Sequence, residues 1–173
     1  MRQILPRNHV SGHAGATHKD FLETNALGAA VFAPILDDPA NERNNARFTF
    51  LNPAAPSYYP DWEAGARDIV ASLRIAGGRN PHNKPITDLI GELVTRSDAF
   101  RTMWAEHDVR FHRAGTKRIH HPVVRELHFC YKAFDLPGSG GLVMYACTVD
   151  PDSPSAERLQ LLGSCTSSVG TAG

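Results

Sequence analysis

Histidines are the most numerous candidate metal ligands, with nine in a chain of 173 residues. Neither helical i, i+4 spacing nor an HExxH motif connects His107 with His112 or His120 with His128. Adjacent strand residues such as His120 and His121 point to opposite faces of a sheet, so they cannot easily bind the same ion. The sequence therefore predicts neither a metal site nor a cofactor.

His107 and Asp108 together resemble half of a catalytic pair. Neighbouring residues on a helix diverge, however, and no serine or cysteine lies in a nucleophile elbow. His107 is expected either to be satisfied in the core or to contact a ligand. A small hydrolase built on this pair remains a hypothesis, but the sequence favours a binding module over an enzyme.

Positive charge concentrates between residues 110 and 125. The cationic set is Arg110, Arg113, Lys117, Arg118 and Arg125, accompanied by His112, His120 and His121. Such a patch can meet phosphate, yet the exposed face lacks the stacking aromatics that single-strand binders use. A solvated or inter-subunit face is one interpretation, and a nucleic-acid-contacting module using the 110–125 hairpin is the alternative.

Large apolar side chains occur on the same predicted elements as several arginines. The apolar set is Phe32, Phe50, Trp62, Phe100, Trp104, Phe129 and Tyr131. These side chains form either a filled core or a cavity for an amphiphile, whose tail gains about 0.8 kcal/mol per buried methylene. A carboxylate head would need a paired donor, which Arg43, Arg47 or Arg67 could supply.

Length and composition indicate one domain with a formal net charge of zero. The chain is 42% hydrophobic and has 18 basic and 18 acidic side chains. Zero net charge argues against the whole chain acting as a polyelectrolyte partner of nucleic acid or anionic lipid. No apolar run reaches the roughly 18 residues of a membrane span, and the first twenty residues lack a signal-peptide core. A cytoplasmic location is therefore expected.

Helix signals dominate the first two thirds of the chain. Capping residues and apolar periodicity predict helices over about 26–33, 38–47, 62–76, 86–94 and 97–107, with a brief strand at 20–22. Gly77 and Gly78 are expected to end the third helix.

Strand signals follow the last of these helices. Val109 to Phe111, a turn at Ala114 and Gly115, and a return from Lys117 to His120 predict a first hairpin. Further strands are predicted at 125–136 and 142–149, and a last helix begins after Ser153. The predicted fold is α+β, with N-terminal helices packed on an antiparallel sheet and a closing C-terminal helix. Residues 1–19 are expected to be a flexible arm or residual linker, 20–163 the domain and 164–173 a disordered tail.

Several ordered blocks resemble the MmyB-like ligand-binding domain. They are NALGAAVFAP from Asn25, ERNNARFTFLNPAA from Glu42, DWEAGARDIVASLR from Asp61, GELVTRSDAF from Gly91, MWAEHDVR from Met103, GTKRIHHP from Gly115 and PDSPSAERLQLL from Pro151. Together they place the resemblance over about residues 20 to 163. One departure occurs at Arg125, where the family usually has glycine before the strand.

The resemblance implies a PAS-like sensor domain of Xre-type helix-turn-helix regulators. It implies a fatty-acid-like ligand in a hydrophobic pocket and DNA contact only through a helix-turn-helix domain of roughly 55 to 70 residues. A homodimer is also expected. About twenty residues precede the resemblance, so the chain is expected to be a fragment or an orphan sensor. Candidate ligand-binding residues, chosen on physical grounds, are Asn25, Arg43, Asn44, Arg47, Trp62, Arg67, Trp104, His107 and Tyr131.

Overall fold

The described part of the chain combines helices with an antiparallel sheet. The structure is a computed structural model that describes residues 9–15, 19–106, 114–139 and 142–169. The strands are β1 (His9–Gly15), β2 (Phe21–Glu23), β3 (Ala114–His121), β4 (Arg125–Asp135) and β5 (Val143–Thr148). The helices are α1 (Ala26–Val31), α2 (Ala33–Leu36), α3 (Asn45–Leu51), α4 (Ala55–Tyr58), α5 (Trp62–Arg79), α6 (Lys84–Arg96), α7 (Asp98–Ala105) and α8 (Pro154–Val169). The predicted α+β class is confirmed.

Polar side chains begin the helices as the sequence predicts. Asn25 caps α1 by accepting a hydrogen bond from the Gly28 N–H at 2.7 Å. Ser97 caps α7 in the same way, accepting from the Phe100 N–H at 3.2 Å. These caps satisfy amide groups that the first helical turn leaves without an intrahelical acceptor.

The segment from Asp38 to Arg47 differs from the single helix expected there. Only Pro39–Asn41 forms a 3-10 turn, after which Glu42 and Arg43 adopt left-handed φ values of 49° and 53°. Asn44 then caps a new helix, α3, through the Ala46 and Arg47 N–H groups. The competing cap therefore divides the predicted helix in two.

Helix α5 continues past its expected end at Gly77 and Gly78. Gly77 faces α6, since a Cβ atom built there would lie at an ordinary van der Waals distance of 3.4 Å from Cδ1 of Ile90. The prediction of a stop was wrong because helix packing outweighs the low helical propensity of glycine.

The five strands form one antiparallel sheet in the order β2-β1-β5-β4-β3. Residues 114–121 form a single strand, so the turn predicted at Ala114 and Gly115 is wrong; Val109 and Phe111 lie outside the described residues. The β3–β4 hairpin turns at 122–124 instead, where His121 pairs with Arg125. Arg125 has a left-handed φ of 64°, a conformation that glycine adopts at lower cost than a residue with a Cβ atom.

Two elements extend beyond the boundaries that local patterns suggest. Residues 9–15 lie in the predicted arm, but they form β1, between β2 and β5. Helix α8 runs to Val169, into the segment predicted as a tail. Strand pairing across the whole chain length is not visible in local periodicity, so β1 could not be read from the sequence.

Two apolar clusters hold the helices and the sheet together. The first joins α1, α2, α3, α4 and α8 to the sheet, with Phe48, Ile119 and Leu127 fully buried. The second joins α3, α5, α6 and α7 around Leu73, Leu93 and Phe100. Helix α5 packs in the second cluster and also faces the sheet. Across the described ranges, every helix is too short or too polar to cross a bilayer.

Candidate functional site

A cavity of about 520 Å³ lies between α5 and the inner face of the sheet. One wall comes from α5, and the opposite wall comes from β3, β4 and β5. Phe21, Phe32, Asn45 and Tyr59 close the end nearest α3. The volume lies within the roughly 300–1,000 Å³ of small-molecule sites.

Short side chains explain why the helix and the sheet fail to meet. Ala64, Gly65 and Ala76 line the cavity from α5, and Ala133 faces them from β4. None of these side chains can fill a space between layers that pack about 10 Å apart. The apolar part of the wall is completed by Ile69, Ile75, Leu136, Leu142 and Val143.

Two lysines enter this space at the end bordered by α3 and β2. The Nζ atom of Lys19 lies 3.5 Å from the hydroxyl oxygen of Tyr145. The Nζ atom of Lys117 lies 4.1 Å from the centroid of the Tyr59 ring, a cation–π contact. Both lysines are half-buried and line the cavity.

Burial changes the acid–base properties at this end of the cavity. Desolvation lowers the pKa of both Lys19 and Lys117 to about 8, while the negative charge of Asp68 opposes the change. The positive charge of Lys19 also lowers the pKa of Lys117. Burial raises the pKa of the Cys147 thiol to about 11, so this cavity-lining cysteine is protonated at neutral pH.

An ion pair at the cavity edge connects α5 to the sheet. Arg118 on β3 donates from Nε to Oδ2 of Asp61 at 2.8 Å and from the guanidinium to Oδ1 at 2.5 Å. Asp61 directly precedes α5. The hydrogen bond from Arg118 lowers the pKa of Asp61, so the carboxylate is charged at neutral pH.

Of the eight sequence-predicted site residues that the structure describes, Tyr131 lines the cavity and the other seven do not. The ninth, His107, lies outside the described residues together with Asp108, so the proposed catalytic pair does too. Burial raises the pKa of Tyr131, and its hydroxyl is therefore neutral at physiological pH.

The two predicted tryptophans pack among other side chains. Trp62 donates from its indole nitrogen to the Thr49 carbonyl at 2.8 Å. Trp104 stacks on Phe100 with ring centroids 5.5 Å apart, and the Arg74 guanidinium lies 4.9 Å from its centroid. Both rings pack against the second apolar cluster, the helix-side cluster formed by α3, α5, α6 and α7.

The three predicted arginines contact acceptors within the protein. Arg43 donates from Nε to the Phe21 carbonyl at 3.3 Å. Arg47 binds Glu42 and Glu92 at 2.7 and 2.8 Å. Arg67 binds Glu63 and Glu106 at 3.1 and 2.5 Å. The predicted asparagines, Asn25 and Asn44, serve as helix caps.

Two described members of the cationic hairpin have contacts within the domain. Lys117 enters the cavity and Arg118 binds Asp61. Arg110, His112 and Arg113 lie outside the described residues. Within the described ranges, no group of three or more His, Cys, Asp or Glu side chains is placed to hold a metal ion.

Sequence reasoning missed both cavity lysines. Lys117, Ile119 and His121 occupy every second position of β3, and the last two are buried. Strand periodicity alone could therefore have placed Lys117 on the inner face. Lys19 carries no such signal because it belongs to the segment taken for an arm.

A helix-and-sheet domain that encloses a mostly apolar cavity with a charged end is a small-molecule-binding domain. Residues 16–162 match the family described as the MmyB-like transcription regulator ligand binding domain. The match covers most of the chain, which therefore belongs to this family of regulator domains. A search of curated proteins finds no match.

Proposed function

We propose that this chain is the effector-sensing domain of a transcription regulator and that it binds a fatty-acid-like amphiphile between α5 and the sheet. The proposal is based on the cavity, because its walls are mostly apolar and one of its ends is charged. An amphiphile has the same two parts. Its tail gains about 0.8 kcal/mol for each methylene that the walls cover.

The position of α5 suggests how an occupied cavity would send a signal. This helix lines the cavity with Ile69 and Ala76 and also packs in the helix-side cluster with α3, α6 and α7. A ligand that binds one arrangement of these helices more tightly shifts the equilibrium toward it. We propose that this shift acts at a homodimer interface on an attached helix-turn-helix domain, in the cytoplasm.

Native mass spectrometry and ligand titration test the proposal. Protein purified from cells should retain a lipid-sized adduct, and delipidated protein should bind dodecanoate. Ala133→Phe fills the cavity from β4 and should abolish both. Ala146→Phe is the matched control, because Ala146 lies on the neighbouring strand β5 and does not line the cavity.

Two results would contradict the proposal. One is wild-type protein that carries no adduct and shows no thermal shift with fatty acids of 8 to about 16 carbons. The other is equal loss of binding in the two phenylalanine variants, because that would show a general effect of added bulk on the sheet.

A further inference from the structure

The polar end of the cavity contains two ammonium groups that share neighbours. Lys19 and Lys117 approach from different elements, and the charge of Asp68 acts on both. Lys117 forms no ion pair with the described residues, and its Nζ atom lies over the Tyr59 ring. Partial burial makes an ammonium group costly to maintain, and a ligand anion beside the two lysines would lower that cost.

The backbone at Lys19 adds a second, independent observation. Its φ of 73° lies in the left-handed region, which is unfavourable for a residue with a Cβ atom. The Asn45 N–H donates to the Lys19 carbonyl at 3.1 Å and helps to hold this conformation. Unfavourable backbone conformations of this kind cluster at ligand sites, where they position a side chain.

Asn45 also contributes a donor at the same end. Its Oδ1 atom accepts a hydrogen bond from the Tyr59 hydroxyl at 2.9 Å. The side-chain amide group then points its N–H donors elsewhere. Because Asn45 lines the cavity, its amide N–H group is the candidate neutral donor to an anion there.

Among the described residues, four basic and three acidic side chains line the cavity. Lys19, Arg79, Lys117 and Arg118 line it, as do three acids, Asp61, Asp68 and Asp135. Arg118 and Asp61 neutralise each other through their paired hydrogen bonds. The described lining thus contains one more basic than acidic side chain, which favours an anionic ligand over a cationic one.

We propose that Lys19, Lys117 and Asn45 form a subsite for the carboxylate of a monoanionic amphiphile, whose tail runs along α5 toward Leu136 and Leu142. This inference rests on the proposed function and specifies the orientation of its ligand. It replaces the arginines expected from the sequence, since Arg43, Arg47 and Arg67 contact protein acceptors and do not line the cavity. It also connects the ligand to the segment between β1 and β2, because Lys19 lies there.

Paired probes test the head group separately from the tail. Dodecanoate and methyl dodecanoate share a chain and differ in charge, and both are titrated below their aggregation limits. Wild-type protein should bind dodecanoate about tenfold or more tightly than the ester. Lys117→Met should remove this difference by weakening dodecanoate binding alone, and Lys19→Met should reproduce the effect if one variant folds poorly.

Two control variants make the test specific. Lys132→Met removes an exposed lysine of β4 that does not line the cavity, and it should leave both affinities unchanged. Arg79→Met removes the cation nearest the other end, and it should also preserve selectivity for dodecanoate. Lys117→Arg keeps the charge and should retain most of that selectivity.

Three results would overturn the subsite. They are equal binding of the acid and the ester by wild-type protein, equal weakening of both probes by Lys117→Met, and loss of selectivity in Arg79→Met in place of the lysine variants. Binding of the ester in any of these cases leaves the proposed function intact. Failure of both probes to bind contradicts the proposed function as well.

Discussion

The ring of Tyr131 covers Gly115 across the β3–β4 pair. The two residues are direct partners in the register, and a Cβ atom placed on Gly115 would lie 3.3 Å from Cε1 of Tyr131. Strand β3 is the edge of the sheet, where an aromatic partner can compensate for a glycine. The absence of a side chain at position 115 thus helps to set the position of a cavity-lining ring.

Gly115→Ala should therefore change ligand binding without unfolding the protein. The added methyl group displaces the Tyr131 ring by a few tenths of an ångström, and we expect dodecanoate to bind about threefold more weakly. Isothermal titration measures the change, with Tyr131→Phe as a variant that keeps the ring. Unchanged affinity in Gly115→Ala would show that the ring position does not matter to the ligand.

The affinity for a carboxylate should fall as the pH rises above about 8. Lys19 and Lys117 have pKa values lowered to about 8, mainly by burial, and a bound carboxylate would raise them again. The complex then holds more protons than the free protein between pH 8 and the raised pKa values. Linkage requires weaker binding as the pH increases there, by at most about tenfold per pH unit for each lysine.

Titration of dodecanoate at pH 7, 8, 9 and 10 measures this profile. Lys117→Met removes one titrating group and should flatten it, whereas Lys132→Met should keep the wild-type slope. Affinity that stays constant or increases from pH 8 to pH 10 would contradict the role of the lysines.

Arg125→Gly should stabilise the protein. Arg125 has a φ of 64°, and the left-handed region costs a residue with a Cβ atom about 1 kcal/mol relative to glycine. We expect the free energy of unfolding to rise by about this amount in urea denaturation. Arg125→Ala is the control, since it removes the guanidinium but keeps the Cβ atom. A lower stability of Arg125→Gly than of Arg125→Ala would refute the strain argument.

Capping residues and apolar periodicity made much of the fold predictable. The features that were missed depend on contacts between residues far apart in the sequence. Asn25 and Ser97 cap α1 and α7, as the sequence predicted. The segment with alternating apolar and polar residues from Arg125 onward forms β4. Strand β1 was not predictable in this way, because its main partner β5 lies more than a hundred residues away in sequence. The sequence suggested a cavity but not its lining, apart from Tyr131, since no local pattern reveals whether Ala133 meets the helix that faces it.

Trp104 and Tyr131 should respond oppositely to truncation. Trp104 stacks on the fully buried Phe100, so Trp104→Ala should lower the free energy of unfolding by about 2 kcal/mol. Since Trp104 does not line the cavity, dodecanoate affinity should change by less than about twofold. Tyr131→Ala should weaken binding more than it lowers stability. Urea denaturation and titration separate these effects, and the reverse pattern would place the ligand beside the tryptophan.

His121 connects the β3–β4 turn to α1 and should make stability depend on pH. Its Nε2 atom donates to the Ala30 carbonyl at 3.1 Å, while Nδ1 accepts from the Val123 and Val124 N–H groups at 3.2 and 3.4 Å. Only the neutral ring can make all three contacts, because protonation places a hydrogen on Nδ1. Burial accordingly lowers the pKa of His121 below its usual range.

The lowered pKa sets the direction of the effect. Below the ordinary histidine pKa of about 6.5, the unfolded chain binds more protons at this position than the folded protein does, so stability falls as the pH decreases. We expect a loss on the order of 1 kcal/mol between pH 7.5 and 5.5, measured by urea denaturation. His121→Gln should reduce this dependence. His120→Gln, at the exposed neighbouring position, should keep it, and equal slopes for the two variants would show that the buried imidazole is not responsible.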